Sequence, residues 1–183
     1  MTPLGRLLVL VAVAALAALA GCRSEHAASS DTPDATDHYA QLDWEQLIPA
    51  DELENHRLAV AFAMRRIDHG SDERAAQFGS FKTVRELDGR RTELAGYVIP
   101  LETDDDGRMT DFFLVPTVGA CIHVPPPPPD QTIYVHLSHA VAAPDVGEAA
   151  SVKGILRAVT HDGGLASAAY SMDEAILTLK VRD

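Results

Sequence analysis

The chain has 183 residues, 46% of them hydrophobic and 23% charged, which suits a single soluble domain. Lys and Arg number 15 against 27 Asp and Glu, giving a formal charge of −12. That balance argues against nucleic acid or anionic lipid as a partner, because both would be repelled.

The N-terminus divides into the parts of an export signal. Arg6 supplies a positive start, Leu7 to Leu19 form an apolar run, and small residues follow. The run is short for a membrane span, which takes roughly 20 residues. It ends in Leu19-Ala20-Gly21-Cys22, which resembles the lipobox of bacterial lipoproteins. The resemblance implies that residues 1–21 are a signal peptide and that Cys22 carries a diacylglyceryl thioether and an amide-linked acyl chain. Several chains give durable attachment where one gives only a marginal hold. An ordinary secretory signal that happens to contain a cysteine is the alternative. Arg23 rather than Asp follows Cys22, which within the resemblance favours the outer membrane, with the domain in the periplasm. Cleavage removes one Arg and no acid, so the charge moves from −12 to −13.

Residues 22–41 are expected to form a flexible tether. From Arg23 to about Asp37 the chain is rich in Ser, Ala, Asp, Thr and His, too polar to bury a core. His26 and His38 read as solvated spacer residues. The folded domain is expected over residues 42–183. Trp44, Leu47 and Ile48 make a short apolar patch ended by Pro49. Asp51 precedes Glu54 in a capping-box-like arrangement, Leu53, Val60, Met64 and Ile67 recur at near-helical spacing, and Gly70 is a stop. This predicts one helix from about Asp51 to Asp68, with His56 and His69 on its surface.

Strands follow. Thr92–Leu101 is rich in β-branched and apolar residues, Asp104-Asp105-Asp106-Gly107 reads as a turn, and Asp111–Pro116 as the returning strand. The Asp run lacks the alternating ligands and distal Glu of a calcium loop. Further strands are predicted at Thr132–Leu137, Ser151–Val159 and Ala175–Val181, with Tyr170 and Met172 as core residues. Five short strands without alternating helices predict a mainly β (α+β) fold. Its core is a small five-stranded OB-like barrel preceded by an N-terminal helix.

The segment from Asp111 to Gln131 reads DFFLVPTVGACIHVPPPPPDQ. Together with Gly96-Tyr97-Val98-Ile99-Pro100-Leu101 and Val152-Lys153-Gly154-Ile155-Leu156, it resembles the DUF3299 family, bacterial envelope proteins of undefined activity. The resemblance runs roughly from Trp44 to Val181. It departs at Asp130-Gln131, where the family pattern has Asn-Gln. Members are often encoded beside ABC-type envelope transporters, which implies an accessory role for this chain.

The chemistry rests on residues. With Cys22 taken by lipid, Cys121 is the only free thiol, which is unusual in an oxidising compartment. Cys121 and His123 are two apart, so on an extended segment both face one way. Thiolate and imidazole are ligands for zinc or copper, and two of them make an incomplete site. His136, opposite in facing to Ile133, Val135 and Leu137, and His139 beyond it are candidates to complete it, with His161 more remote. Two other readings stand beside the metal. Cys121 could pack in the core, with His123 bonding nearby backbone. Alternatively His123 could activate Cys121 as a nucleophile or redox thiol, although no second cysteine is present to resolve an oxidised form.

Pro125 to Pro129 must be extended and without backbone donors. They read either as a rail for an aromatic-lined partner or as a stiff connector. No Gly-x-Ser-x-Gly elbow, phosphate loop or two-His helical zinc motif is present, so no established enzyme mechanism is indicated. The expectation is a lipid-anchored accessory protein of the cell envelope. It would bind zinc or copper, or act as a metal-free adaptor for a transporter, or work as a thiol-dependent enzyme.

Overall fold

The computed structural model describes residues 38–65, 76–118, 126–164 and 166–179. Cys22, Cys121, His123 and Pro125 lie outside the described residues, as do His26 and His69.

The described residues begin inside the stretch expected to be tether. Strand β1 (Ala40–Gln41) pairs in parallel with Thr92 and Glu93 of β2 (Arg91–Pro100). Arg91 Nη2 donates to the Tyr39 hydroxyl at 2.7 Å, and the same guanidinium lies 4.5 Å from the Tyr39 ring centroid. A strand this short carries no periodicity, so a boundary at residue 42 misses it. Trp44–Leu47 then forms one 3₁₀ turn. Leu47 is buried, and the Trp44 indole Nε1 donates to Ala95 O at 2.8 Å. Helix α1 spans Leu53–Arg65, within the predicted span.

The other long strands are β3 (Arg108–Val115), β4 (Ile133–Ala142), β5 (Ala149–Arg157) and β8 (Tyr170–Leu179). A small hairpin of β6 (His161–Asp162) and β7 (Ser167–Ala168) lies between the last two. The sheet runs β2-β3-β4-β8-β5, and β5 pairs back onto β2, so the barrel is closed. Every long pairing is antiparallel except β4 with β8, which is parallel over Ile133–Val135 and Tyr170–Met172. This is the expected five-stranded OB-like barrel, preceded by helix α1.

Alternation along each strand fills the interior. Leu94, Phe112, Leu114, Ile133, Val135, Val152, Tyr170 and Met172 form one buried cluster. Two strands start earlier than their composition suggests. In β3, Met109 faces the core, but a bulge between it and Asp111 breaks the period. In β8, Asp173 and Glu174 look like turn residues. Glu174 instead takes φ 51° at a bulge opposite Lys153–Ile155, and the strand continues.

Outside the barrel, a second apolar cluster covers β2 to β4. Phe113 and Val115 pack with Ala166 and Ala168 from the loop that carries β6 and β7. Phe113 and Val115 are buried on this outer side while Phe112 and Leu114 are buried on the inner side. That double burial explains why β3 reads as a continuous apolar run.

Pro126 to Pro129 are buried. Their carbonyls are used: Pro127 O accepts from Gln77 Nε2 at 2.7 Å, and Pro128 O from Gln131 N at 2.8 Å. Ala169 N donates to Pro129 O, also at 2.8 Å. Gly79, at φ 106°, crosses so close that a Cβ there would lie 2.5 Å from Pro128 Cβ, which admits only glycine. Burial and internal hydrogen bonding fit the connector reading of the run and leave no open rail at these four residues.

Candidate binding face on strands β3 and β4

The outer face of β4 carries Tyr134 and His136, alternate to the inward Ile133, Val135 and Leu137. Register places Asp111 directly opposite His136 and Phe113 opposite Tyr134. The Asp111 carboxylate gathers three donors. Oδ1 receives the Tyr134 hydroxyl at 2.5 Å and lies 2.9 Å from His136 Nδ1, and Oδ2 receives the Thr110 hydroxyl at 2.6 Å. Burial alone would raise the Asp111 pKa, but these hydrogen bonds and the His136 charge outweigh it and hold the group at about 2. Conversely, burial followed by the hydrogen bond to Asp111 pushes the Tyr134 phenol up to about 12.

An ionised carboxylate can only accept, so His136 donates from Nδ1, and in the neutral ring that tautomer places the lone pair on Nε2. The His136 side chain is 62% exposed. His161 of the hairpin stacks flat on Tyr134, and Phe113 meets both rings edge-on. His161, a remote candidate from sequence, therefore joins the His136 face by way of Tyr134.

His139 sits further along β4, exposed, with Nδ1 2.6 Å from Ser138 Oγ. Between His136 and Val141 β4 has four residues against the one, Thr110, of β3, since Asp111 pairs with His136 and Met109 with Val141. Among the described residues, no three His, Cys, Asp or Glu side chains come together in a group that could hold a metal ion. Sequence reasoning missed Asp111, Thr110 and Tyr134. The alternation that placed His136 outward also placed Tyr134 there, but the partner across the ladder follows only from register.

The face and the closed barrel define the class, a small OB-type barrel with a polar and aromatic patch on its second and third barrel strands. A family model described as "Protein of unknown function (DUF3299)" matches residues 44–179, and the chain belongs to that family. It is similar to a DUF3299 family protein from Pseudomonas aeruginosa PAO1 known from a crystal structure, with 33% sequence identity. That match covers 80% of this chain and 99% of the other, with a TM-score of 0.59. No curated protein matches. Among the described residues, no helix is long and apolar enough to cross a membrane.

Proposed function

We propose that the chain is a lipid-anchored accessory protein of the cell envelope that binds a transition metal, zinc or copper, at its β3–β4 face. In this reading His136 is one ligand, Cys121, His123 and His139 are the further ones, and the protein supports an ABC-type envelope transporter. The observation that carries it is the Asp111–His136 pair. A carboxylate on one imidazole nitrogen fixes the ring, raises the basicity of the other nitrogen and typifies metal-ligating histidines. Thiolate and imidazole from Cys121 and His123 supply the softer donors that zinc and copper favour. The lipobox-like Leu19-Ala20-Gly21-Cys22 supports the anchor.

The test is reconstitution of the mature protein with zinc or copper(I), followed by metal analysis. The wild type is expected to keep stoichiometric metal, while His136→Ala and Cys121→Ser lose affinity, and Asp111→Asn loses about 10-fold or more. Wild-type protein free of stoichiometric metal sinks the metal reading. Fractionation tests the anchor separately: Cys22→Ser should leave the membrane fraction and lose the lipid mass, and unchanged fractionation overturns it.

A further inference from the structure

Asp130 lies away from the β3–β4 face. It is fully buried, and neither carboxylate oxygen has a hydrogen-bond partner. Its Oδ1 is 3.5 Å from Nδ1 of His56 on α1, so the carboxylate is turned toward a side chain that is itself 13% exposed. Burial without donors costs a carboxylate several kcal/mol unless it is neutralised or given a counter-charge. Burial pushes the Asp130 pKa upward, and His56 pulls it the other way. Glu52, just before α1, adds a second negative charge on the same side and is ion-paired to Lys82. Tyr170 of β8 senses the Asp130 charge from the barrel side.

His56 also lines a groove of about 340 Å³ whose other walls include Ile48, Leu53, Val60 and Gln131. Gln131 commits its amide nitrogen to Trp44 O at 2.9 Å and Asp130 O at 3.0 Å, leaving Oε1 as its acceptor. Glu45, also on the groove, is paired with Arg57 at 3.2 Å. The groove thus combines an apolar wall with a buried, donor-starved anion behind one partly exposed imidazole.

We propose that this groove binds a primary ammonium group carried on an apolar chain, the ammonium taking the place of His56 beside Asp130. Asp130 Oδ1, which lies 3.5 Å from His56 Nδ1, would be the first acceptor for an ammonium in the place of that imidazole, and Gln131 stands on the groove wall as a further one. Ile48, Leu53 and Val60 take the chain. Asp130 repels an anion, while the charges of Glu45 and Glu52 are offset by Arg57, itself on the groove wall, and by Lys82. Neutral ligands of the same shape gain the apolar contact and nothing more.

The probes are hexylammonium and its neutral counterpart 1-hexanol, titrated into the mature protein while NMR follows His56 and the methyl groups of Ile48, Leu53 and Val60. A charge-assisted hydrogen bond contributes about 1.5–3 kcal/mol, so hexylammonium should bind about 10-fold tighter or more than hexanol. Asp130→Asn should erase that difference and leave hexanol unchanged. His56→Ala removes the side chain that now faces Asp130 and should tighten amine binding. Equal affinity for amine and alcohol, shifts confined to other surfaces, or an Asp130→Asn protein that still prefers the amine overturns the site. Should Asp130→Asn not fold, the His56→Ala result decides: unchanged or weaker amine binding is equally fatal.

Discussion

The Tyr134 phenol and the His161 imidazole lie face to face, their centroids 3.5 Å apart and their planes 8° from parallel. One belongs to β4 and the other to the hairpin between β5 and β8, so the stack ties a loop to the barrel wall. Aromatic pairs of this kind contribute about 0.5–1.5 kcal/mol beyond burial. His161→Ala is expected to lower the urea midpoint by a free energy of about 1 kcal/mol, while His161→Phe keeps most of it. Amide exchange at Gly163, whose N–H bonds Ala166 O at 3.0 Å, should quicken in the alanine variant. Unchanged exchange there would show that the stack is not what holds the hairpin.

Asp111 makes the acid stability of the protein a property of one face. Its pKa falls from 3.8 to about 2 on folding, so its contribution is present above the unfolded value and is lost as pH drops toward the folded one. Allowing for solvent screening at a partly exposed group, that loss is about 1 kcal/mol. Melting temperature measured against pH should decline through this window in the wild type and be flatter in Asp111→Asn.

At the alkaline end the same pair predicts the opposite sign. Tyr134 is raised from 10.0 to about 12, so its contribution holds below the unfolded value and fades as pH climbs through the folded one. Phenolate absorbance should show Tyr134 titrating late. Asp111→Asn should bring it down, since the hydrogen bond and the charge are lost while the burial remains.

Tyr170 anchors the N-terminal segment to the barrel through its hydroxyl, which accepts from Val84 N at 2.7 Å and donates to Leu47 O at 2.8 Å. Tyr170→Phe keeps the ring and strands both backbone groups. The expected cost is about 1–3 kcal/mol by denaturant titration. A loss below about 0.5 kcal/mol would mean that water replaces the hydroxyl at both partners.

Gly154 sits on β5 where β8 bulges. A Cβ there would lie 2.5 Å from Met172 Cγ and 2.6 Å from the backbone oxygen of Asp173. Because one of those atoms is backbone, the strand itself must move, and Gly154→Ala should cost about 1–3 kcal/mol by thermal or urea denaturation.

The barrel was legible because its signal is local. Alternation at Ile133, Val135 and Leu137 and the turn at Asp104–Gly107 each sit within a few residues. The turn forms as read: Asp104 Oδ1 accepts from Arg108 N at 2.7 Å, and Gly107 takes φ 71°. What stayed hidden depends on separation in sequence. Asp111 and His136 are 25 residues apart, and only the β3–β4 register, shifted by a bulge, brings them together. Tyr134 and His161 meet because a hairpin of two-residue strands folds over the wall, and such strands leave no period to read. Asp130 stood out in the sequence only as a departure from the family pattern, and its burial depends on distant partners: its N–H bonds Ser80 O at 3.1 Å and its carboxylate faces His56.

The buried prolines act on the chain before it folds. An irregular segment placed inside a protein normally brings one N–H per residue that needs a partner, and Pro126 to Pro129 bring none. Their rings also narrow the unfolded ensemble, by about 0.4–1 kcal/mol for each residue whose native geometry already suits proline. Replacing any of them by alanine would therefore weaken the fold partly through freedom granted to the disordered chain. That loss would not register in a list of broken contacts.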